Sequence, residues 1–195
     1  MKCAVCDKKL CADGKNCCKK EISEKVMKEY KKDENLKIAT VSSYIEGTYY
    51  MKKNRLEEII EFCKLMECKK IGIVFCIGLE NEAKTLDKIL SNYFKTYSVC
   101  CKVCGIDKDK LNLTKINPNN RESMCNPIAQ AEILNEKETD LNIIVGLCIG
   151  HDILFQKYSR APATTFLVKD RILAHNPGGT LYSKYYMKNI FKDSK

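Results

Sequence analysis

The chain lacks the signals of the commonest ligands. There is no Gly-x-Gly-x-x-Gly and no Walker-type run, the backbone cradles that present N–H groups to a pyrophosphate or triphosphate, so neither a dinucleotide nor ATP is implied. No apolar stretch approaches the roughly 20 residues that span a bilayer. The start, Met1-Lys2-Cys3-Ala4-Val5-Cys6-Asp7, is too polar for a secretory leader, which predicts a cytoplasmic protein with no membrane partner. The net charge of +9 raises nucleic acid as a partner, but the lysines are scattered among glutamates and form no basic block with interleaved aromatics. The expectation is therefore a solvated lysine-rich surface and no nucleic-acid partner. Histidine is scarce as well, with only His151 and His175 in 195 residues.

Cysteine, in contrast, is abundant: there are thirteen. An odd thiol count in a reducing compartment argues against a disulfide framework and for metal ligation where the thiols recur at short spacing. A chain of this length is one domain of ordinary size with room for a small appended module, and it can bury a core without covalent staples.

Residues 1–20 read as that module. Cys3, Cys6, Cys11 and Cys17 lie at x2, x4 and x5 spacings, with Cys18 next to the last. A Cys-x2-Cys knuckle turns two sulfurs toward one ion and two further thiolates complete a tetrahedral shell, for zinc or equally for an iron–sulfur cluster, with Cys17 and Cys18 competing for the fourth place. The segment has only Val5, Leu10 and two alanines to bury, so it is expected to need metal to fold.

Residues 21–195 read as an α/β domain with preceding helices. A helix is expected over Glu21–Lys32, a break at Asp33-Glu34-Asn35, and an element from Leu36 to Met51 with helical spacing despite its β-branched residues, which Gly47 ends or bends. Asn54 with Glu57 three residues on is an N-cap signature for a helix to Lys69, in which Cys63 and Cys68 are core or incidental thiols. Ile71–Phe75 and Ile143–Leu147 are continuous apolar runs that each lead into Cys-Ile-Gly, as strands of a parallel sheet buried on both faces do. Further strands are expected over Tyr97–Val103 and Thr164–Val168, with helices over Asn81–Phe94, Pro127–Leu134 (capped by Asn126), from after Asp152 to about Tyr158, and Leu181–Phe191, and a long polar loop over Ile106–Glu122. This alternation predicts a three-layer, Rossmann-like, mostly parallel sheet.

In that fold Cys76, Cys101, Cys125 and Cys148 each fall at a strand end or helix start on one edge, where open α/β sheets place their ligands. Four thiolates arriving there from separate loops can hold zinc or a [4Fe–4S] cluster. Cys125 also gains from a helix N-terminus, which favours thiolate. Cys104 is an alternative to Cys101. His151, Asp152 and Lys169 are candidate catalytic groups beside the thiols, with Lys102, Asp170, Arg171 and His175 nearby. Asp152 can equally cap the helix that follows it.

Met124-Cys125-Asn126-Pro127-Ile128-Ala129-Gln130-Ala131, Gly146-Leu147-Cys148-Ile149-Gly150-His151-Asp152, Lys157-Tyr158-Ser159-Arg160-Ala161-Pro162 and Val168-Lys169-Asp170-Arg171 together resemble the DUF1847 family. Its members are labelled metal-binding proteins of unknown function. The resemblance runs from Cys3 to about Tyr182. The family's N-terminal cysteine module is matched by Cys3, Cys6, Cys11 and Cys17, and its body by Cys76, Cys125 and Cys148, with Cys101 the nearest match on the second strand. Cys104 stands where that pattern leads one to expect a glycine. The resemblance implies metal binding and names no reaction.

The resulting expectation is a metal-binding protein with a four-Cys site near its start and a second thiolate site at the sheet edge. The second site would be an iron–sulfur cluster supporting redox chemistry on a small molecule, with a redox partner possible. Two other readings are a metal sensor or carrier without turnover and, less favoured by an all-thiolate shell, a zinc-dependent hydrolase.

Overall fold

The structure, a computed structural model, describes residues 1–192. The chain divides into two compact units, one over Met1–Lys53 and one from Asn54 onward. No helix among the described residues is long and apolar enough to cross a membrane.

In the first unit, α1 (Lys20–Tyr30) and α2 (Asp33–Tyr49) pack on each other. The break between them falls at Lys31 and Lys32, not at Asp33-Glu34-Asn35. Asp33 and Glu34 instead occupy the first turn of α2, where carboxylates oppose the positive end of the helix dipole. Gly47 lies inside α2, which runs on to Tyr49 and buries Val41 and Ile45. Ahead of α1, residues 1–19 are all exposed.

The second unit opens with α3 (Arg55–Leu65). Asn54 Oδ1 accepts from the N–H groups of Leu56 and Glu57, and the Glu57 carboxylate accepts from Asn54 N–H at 2.9 Å, the reciprocal cap expected from the sequence. There follow β1 (Lys70–Phe75), α4 (Glu80–Leu90), β2 (Lys95–Cys100), α5 (Pro127–Glu136), β3 (Leu141–Val145), α6 (His151–Tyr158), β4 (Ala163–Leu167) and a short α7 (Gly179–Tyr182). All four strands are parallel, in the order β2-β1-β3-β4.

Side-chain alternation builds the layers. Ile71 and Ile73 of β1 and Leu141, Ile143 and Val145 of β3 pack with Ile59 and Cys63 of α3 and with Ala83, Leu86 and Leu90 of α4. Val74, Ile144 and Val99 face the other way, onto Ala131 and Leu134 of α5 and Phe155 of α6. Helices thus cover both faces, as two-sided apolar strands require. Gly72 is needed on the second face because a Cβ there would lie 2.0 Å from Asn142 Oδ1. Asn142 is itself buried and satisfied, accepting from Thr139 Oγ1 and donating to Ser159 Oγ, each at 2.8 Å.

Several element ends depart from the sequence expectation: α3 stops at Leu65 instead of Lys69, α4 at Leu90 instead of Phe94 and β3 at Val145 instead of Leu147, and α6 begins at His151, ahead of Asp152. The second strand stops at Cys100 instead of Val103: Cys101 N–H makes the last rung of the parallel ladder, on Phe75 O, and Lys102 (φ −93°, ψ 8°) then leads the chain into the 3-10 turn Val103–Gly105. The closing helix over Leu181–Phe191 is split into α7 and a single wide turn, Tyr186–Ile190. Ser183 between them is extended (φ −86°, ψ 113°) and its hydroxyl accepts from Tyr186 N–H at 3.4 Å, restarting the chain in the manner of an N-cap.

Candidate functional site

Strand order reverses between β1 and β3: from β1 the chain moves outward to β2, and from β3 it moves the opposite way to β4. A crevice opens at the carboxyl ends of two such strands. Cys76 is the first residue beyond β1 and Cys148 the third beyond β3.

The main chain around the first of these is fastened from several directions. Cys76 N–H donates to Val145 O at 3.2 Å, Cys101 N–H to Phe75 O at 2.9 Å, and Asn126 N–H to Cys101 O at 2.8 Å. Beneath them Gln130, fully buried on α5, donates both amide hydrogens, to Val99 O at 2.7 Å and to Phe75 O at 3.2 Å. Two carbonyls demand the NH2 end of the amide, so its Oε1 is left buried with no partner among the described residues.

These bonds bring three thiols together. Cys101 stands between Cys76 and Cys125 and shares hydrogen bonds with both, and its sulfur also accepts from Ile77 N–H at 3.3 Å. Cys76 and Cys101 are buried, and Cys125 is half-buried. The bond from Cys101, a backbone bond at Gly78 and the charges of Lys169 and Arg171 lower Cys76 to about 5. The bond from Cys101, helped by Lys102 and His151, lowers Cys125 to about 6. Cys101, between them, is pushed far up and keeps its single proton, which it can donate to either neighbour. At neutral pH the group is therefore two thiolates around one thiol. Cys148 belongs to the same field by a different route: Arg171 Nη2 donates to its sulfur at 3.1 Å, and this contact raises the guanidinium further.

Two glycines let a cation in. A Cβ on Gly78 would lie 3.0 Å from Lys169 Nζ and 4.0 Å from Cys76 Sγ, and one on Gly146 would lie 3.6 Å from Lys169 Cδ. The half-buried Lys169 thus threads past Gly146 to end beside Cys76. Among the other candidates, His151 is close enough to Cys125 to favour its thiolate. Asp152 bonds to Ile153 N–H at 2.8 Å, at the start of α6. His175 is turned into its own loop, its Nδ1 accepting from Asp170 N–H at 3.1 Å. Lys102 Nζ donates to Ser123 O at 2.6 Å. Cys104 is exposed with φ +69°, a left-handed conformation that favours glycine, which gives the glycine expectation at this position its physical basis.

Cys101 and Cys125 stand at the two feet of the long polar loop. Its neck is closed by an antiparallel bridge between Asp107 and Ser123, and by Lys108 Nζ on Glu122 at 2.8 Å. Near the start of the chain, Cys3–Val5 form a 3-10 turn closed by Cys6 N–H on Cys3 O at 3.2 Å, and Cys11 lies in a second turn ending at Gly14. Cys3, Cys6, Cys11, Cys17 and Cys18 are all exposed. Among the described residues, no three His, Cys, Asp or Glu side chains encircle a point for a single metal ion; the body thiols form a hydrogen-bonded chain. Gln130 and the fastening role of Gly146 carry no sequence signal: one is a glutamine in a helical pattern, the other a glycine after an apolar run.

A family model described as "Protein of unknown function (DUF1847)" matches residues 15–166. An uncharacterized protein of Methanocaldococcus jannaschii is 72% identical over 192 residues, which cover 98% of this chain and 99% of that one. No solved structure matches. The family match spans all four body cysteines and begins after Cys3, Cys6 and Cys11.

Proposed function

From its membership of the DUF1847 family, of unknown function, and from the disposition of its own thiols, we propose that this chain is a thiolate-metal protein whose sheet-edge centre carries an iron–sulfur cluster for redox chemistry on a small molecule. The observation that carries the reading is the group at the switch point. Cys76 and Cys125 are favoured as thiolates at neutral pH before any metal arrives, Cys101 lies between them, and Cys148 is drawn in by Arg171. The donor set suits the group by its chemistry: soft sulfurs alone, brought together from separate elements. Lys169, Arg171 and Lys102 supply the positive charge that an anionic, all-thiolate cluster requires.

When bound, such a cluster supplies electrons one at a time. The protein's own residues do the rest. Lys169, beside Cys76, and Arg171, on Cys148, offset the thiolate charge and hold an anionic group of a substrate at the crevice. His151, beside Cys125, exchanges a proton with it. The exposed Ile77 and Ile149, each next to a thiol, keep the mouth of the site apolar. In the same reading Cys3, Cys6, Cys11 and Cys17 (or Cys18) bind zinc or a second cluster, since a segment that buries no side chain has little else to order it.

The test is iron, zinc and acid-labile sulfide analysis of anaerobically purified protein. The sheet-edge cluster is read in the Cys3→Ser/Cys6→Ser background, where iron and sulfide are expected together and both are expected to be lost when Cys76→Ser or Cys125→Ser is added. Protein that carries zinc alone, or body variants that keep their iron, would overturn the reading.

A further inference from the structure

A second pair of thiols lies at the opposite end of the sheet, on the C-terminus of α3. Glu67 N–H donates to Lys64 O at 3.1 Å and Cys68 N–H to Cys63 O at 2.9 Å, with Glu67 in the left-handed region at φ +65°. This pattern of two crossed bonds is a Schellman motif, which brings the side chains of its first and last residues into contact. Here those residues are Cys63 and Cys68. Cys63 is fully buried in the core and its thiol hydrogen-bonds to Cys68. That bond, burial and the nearby Asp140 push Cys63 well up, so it rests as a thiol.

Cys68 is half-buried and lines an open groove of about 470 Å³ at the amino ends of β1 and β2. Lys64, Lys69 and Lys95 line the same groove against one acidic residue, Glu67. Lys64 Nζ lies 4.4 Å from the Tyr93 ring centroid, which holds that charge at the groove wall. A thiol in a cationic groove, backed by a second thiol in contact with it, is an arrangement for capturing an anionic sulfur compound.

We infer that Cys68 and Cys63 form a reversible dithiol–disulfide site that reacts with anionic low-molecular-weight disulfides entering the lysine-lined groove. Cys68 thiolate attacks one sulfur of the disulfide RS–SR, forming Cys68–S–SR and releasing RS⁻. Cys63 then attacks the Cys68 sulfur, its proton passing to the released RS⁻, and the second RS⁻ departs to take the proton lost by Cys68. Two electrons move from the protein pair to the reagent, which leaves as two thiols, and the reverse sequence reduces the pair. The inference is independent of any metal at the other end of the sheet.

The cysteines fall in adjacent tryptic peptides, Leu56–Lys64 and Leu65–Lys69, so the disulfide appears in a non-reducing digest as a covalent link between the two. Reduced full-length protein is treated with the dicarboxylate dithiodiglycolate or the dication cystamine, with urea-unfolded protein as the reference for each reagent. The linked peptides are expected to form about tenfold faster with the dicarboxylate than with the dication in the folded protein, and the gap should close with added salt. Lys95→Glu should narrow it. Cys63→Ala should stop at a mixed disulfide on Cys68, and Cys68→Ser should give no adduct in either peptide. Absence of the link under conditions that modify other thiols, or a link formed equally fast by both reagents, would overturn the inference.

Discussion

Replacing Gly146 by alanine tests how the site is held. The residue sits at φ +64°, directly after β3, and a Cβ there would fall 1.9 Å from Leu79 Cδ1 and 3.3 Å from its Cγ. Leu79 is only 1% exposed and packed among Ala83 and Leu86 of α4, so it has nowhere to retreat. The left-handed backbone costs an alanine about 1–2 kcal/mol, and forcing an extra carbon into a packed core costs about 1–3 kcal/mol. Gly146→Ala should therefore lose about 2–5 kcal/mol in equilibrium urea denaturation. Leu79→Ala in the same chain removes the clash and leaves the backbone strain, so the double variant should be more stable than the sum of the two singles by about 1–3 kcal/mol. Gly78→Ala is the contrast. Its φ is ordinary and its Cβ would meet only Lys169 Nζ, at 3.0 Å, and Cys76 Sγ, at 4.0 Å. The ammonium is the free end of a flexible chain, so stability should change by about 0.5 kcal/mol or less, while Cys76, deprived of its cation, rises. A Gly146→Ala protein within about 0.5 kcal/mol of the parent, or a Gly78→Ala protein as damaged as Gly146→Ala, would refute the reasoning.

Two further outcomes follow from the charges. In metal-free, reduced protein the alkylation rate of Cys125 should rise through about pH 6 and level off, in place of climbing through the ordinary thiol range near pH 8.5. Lys102→Met should move that inflection up. Because the folded value is the lowered one, the stability linked to ionised Cys125 is present at alkaline pH and is lost as pH falls through about 6. A profile unchanged from an unfolded thiol would discount the hydrogen bond from Cys101. At the loop neck, Lys108 and the N–H of Ile116 hold the Glu122 carboxyl below its usual range, so its contribution persists at neutral pH and is lost only as pH falls below that range. Glu122→Gln should accelerate hydrogen exchange at Ile116 N–H, which donates to that carboxylate at 2.7 Å; unaltered protection would show that the neck does not depend on the charge.

The scaffold was largely legible in the sequence, because apolar runs and caps are local signals. Ile71–Phe75 and Ile143–Leu147 announce buried parallel strands, the second of which ends two residues early, at Val145, and Asn54 and Asn126 announce the starts of α3 and α5. Element ends were less legible: β2 stops at Cys100 because the backbone leaves the extended region by Lys102 (φ −93°, ψ 8°) to enter the 3-10 turn Val103–Gly105, a change that the residue pattern does not encode. The repeated Cys-Ile-Gly is instructive. Gly150 takes φ +85° ahead of α6, whereas Gly78 has an ordinary φ within a 3-10 turn, so identical words have different backbones. Of the thiols, the sequence identified the edge shared by Cys76, Cys101, Cys125 and Cys148, but not the order of contact. That Cys101 is central, and that Cys148 speaks through Arg171, follows from loop paths invisible in one dimension. Cys63 and Cys68 read as core or incidental thiols until the turn between them is seen.

The closed neck of the polar loop has one more consequence. Cys101 and Cys125 are set by bonds below the bridge between Asp107 and Ser123, so the span above it can change in length without altering the footing of either sulfur. Loop extension costs little entropy once its base is pinned. That tip is accordingly the natural graft point of this protein, where a fluorophore-bearing peptide or an affinity sequence could be spliced in to report on the thiols beneath.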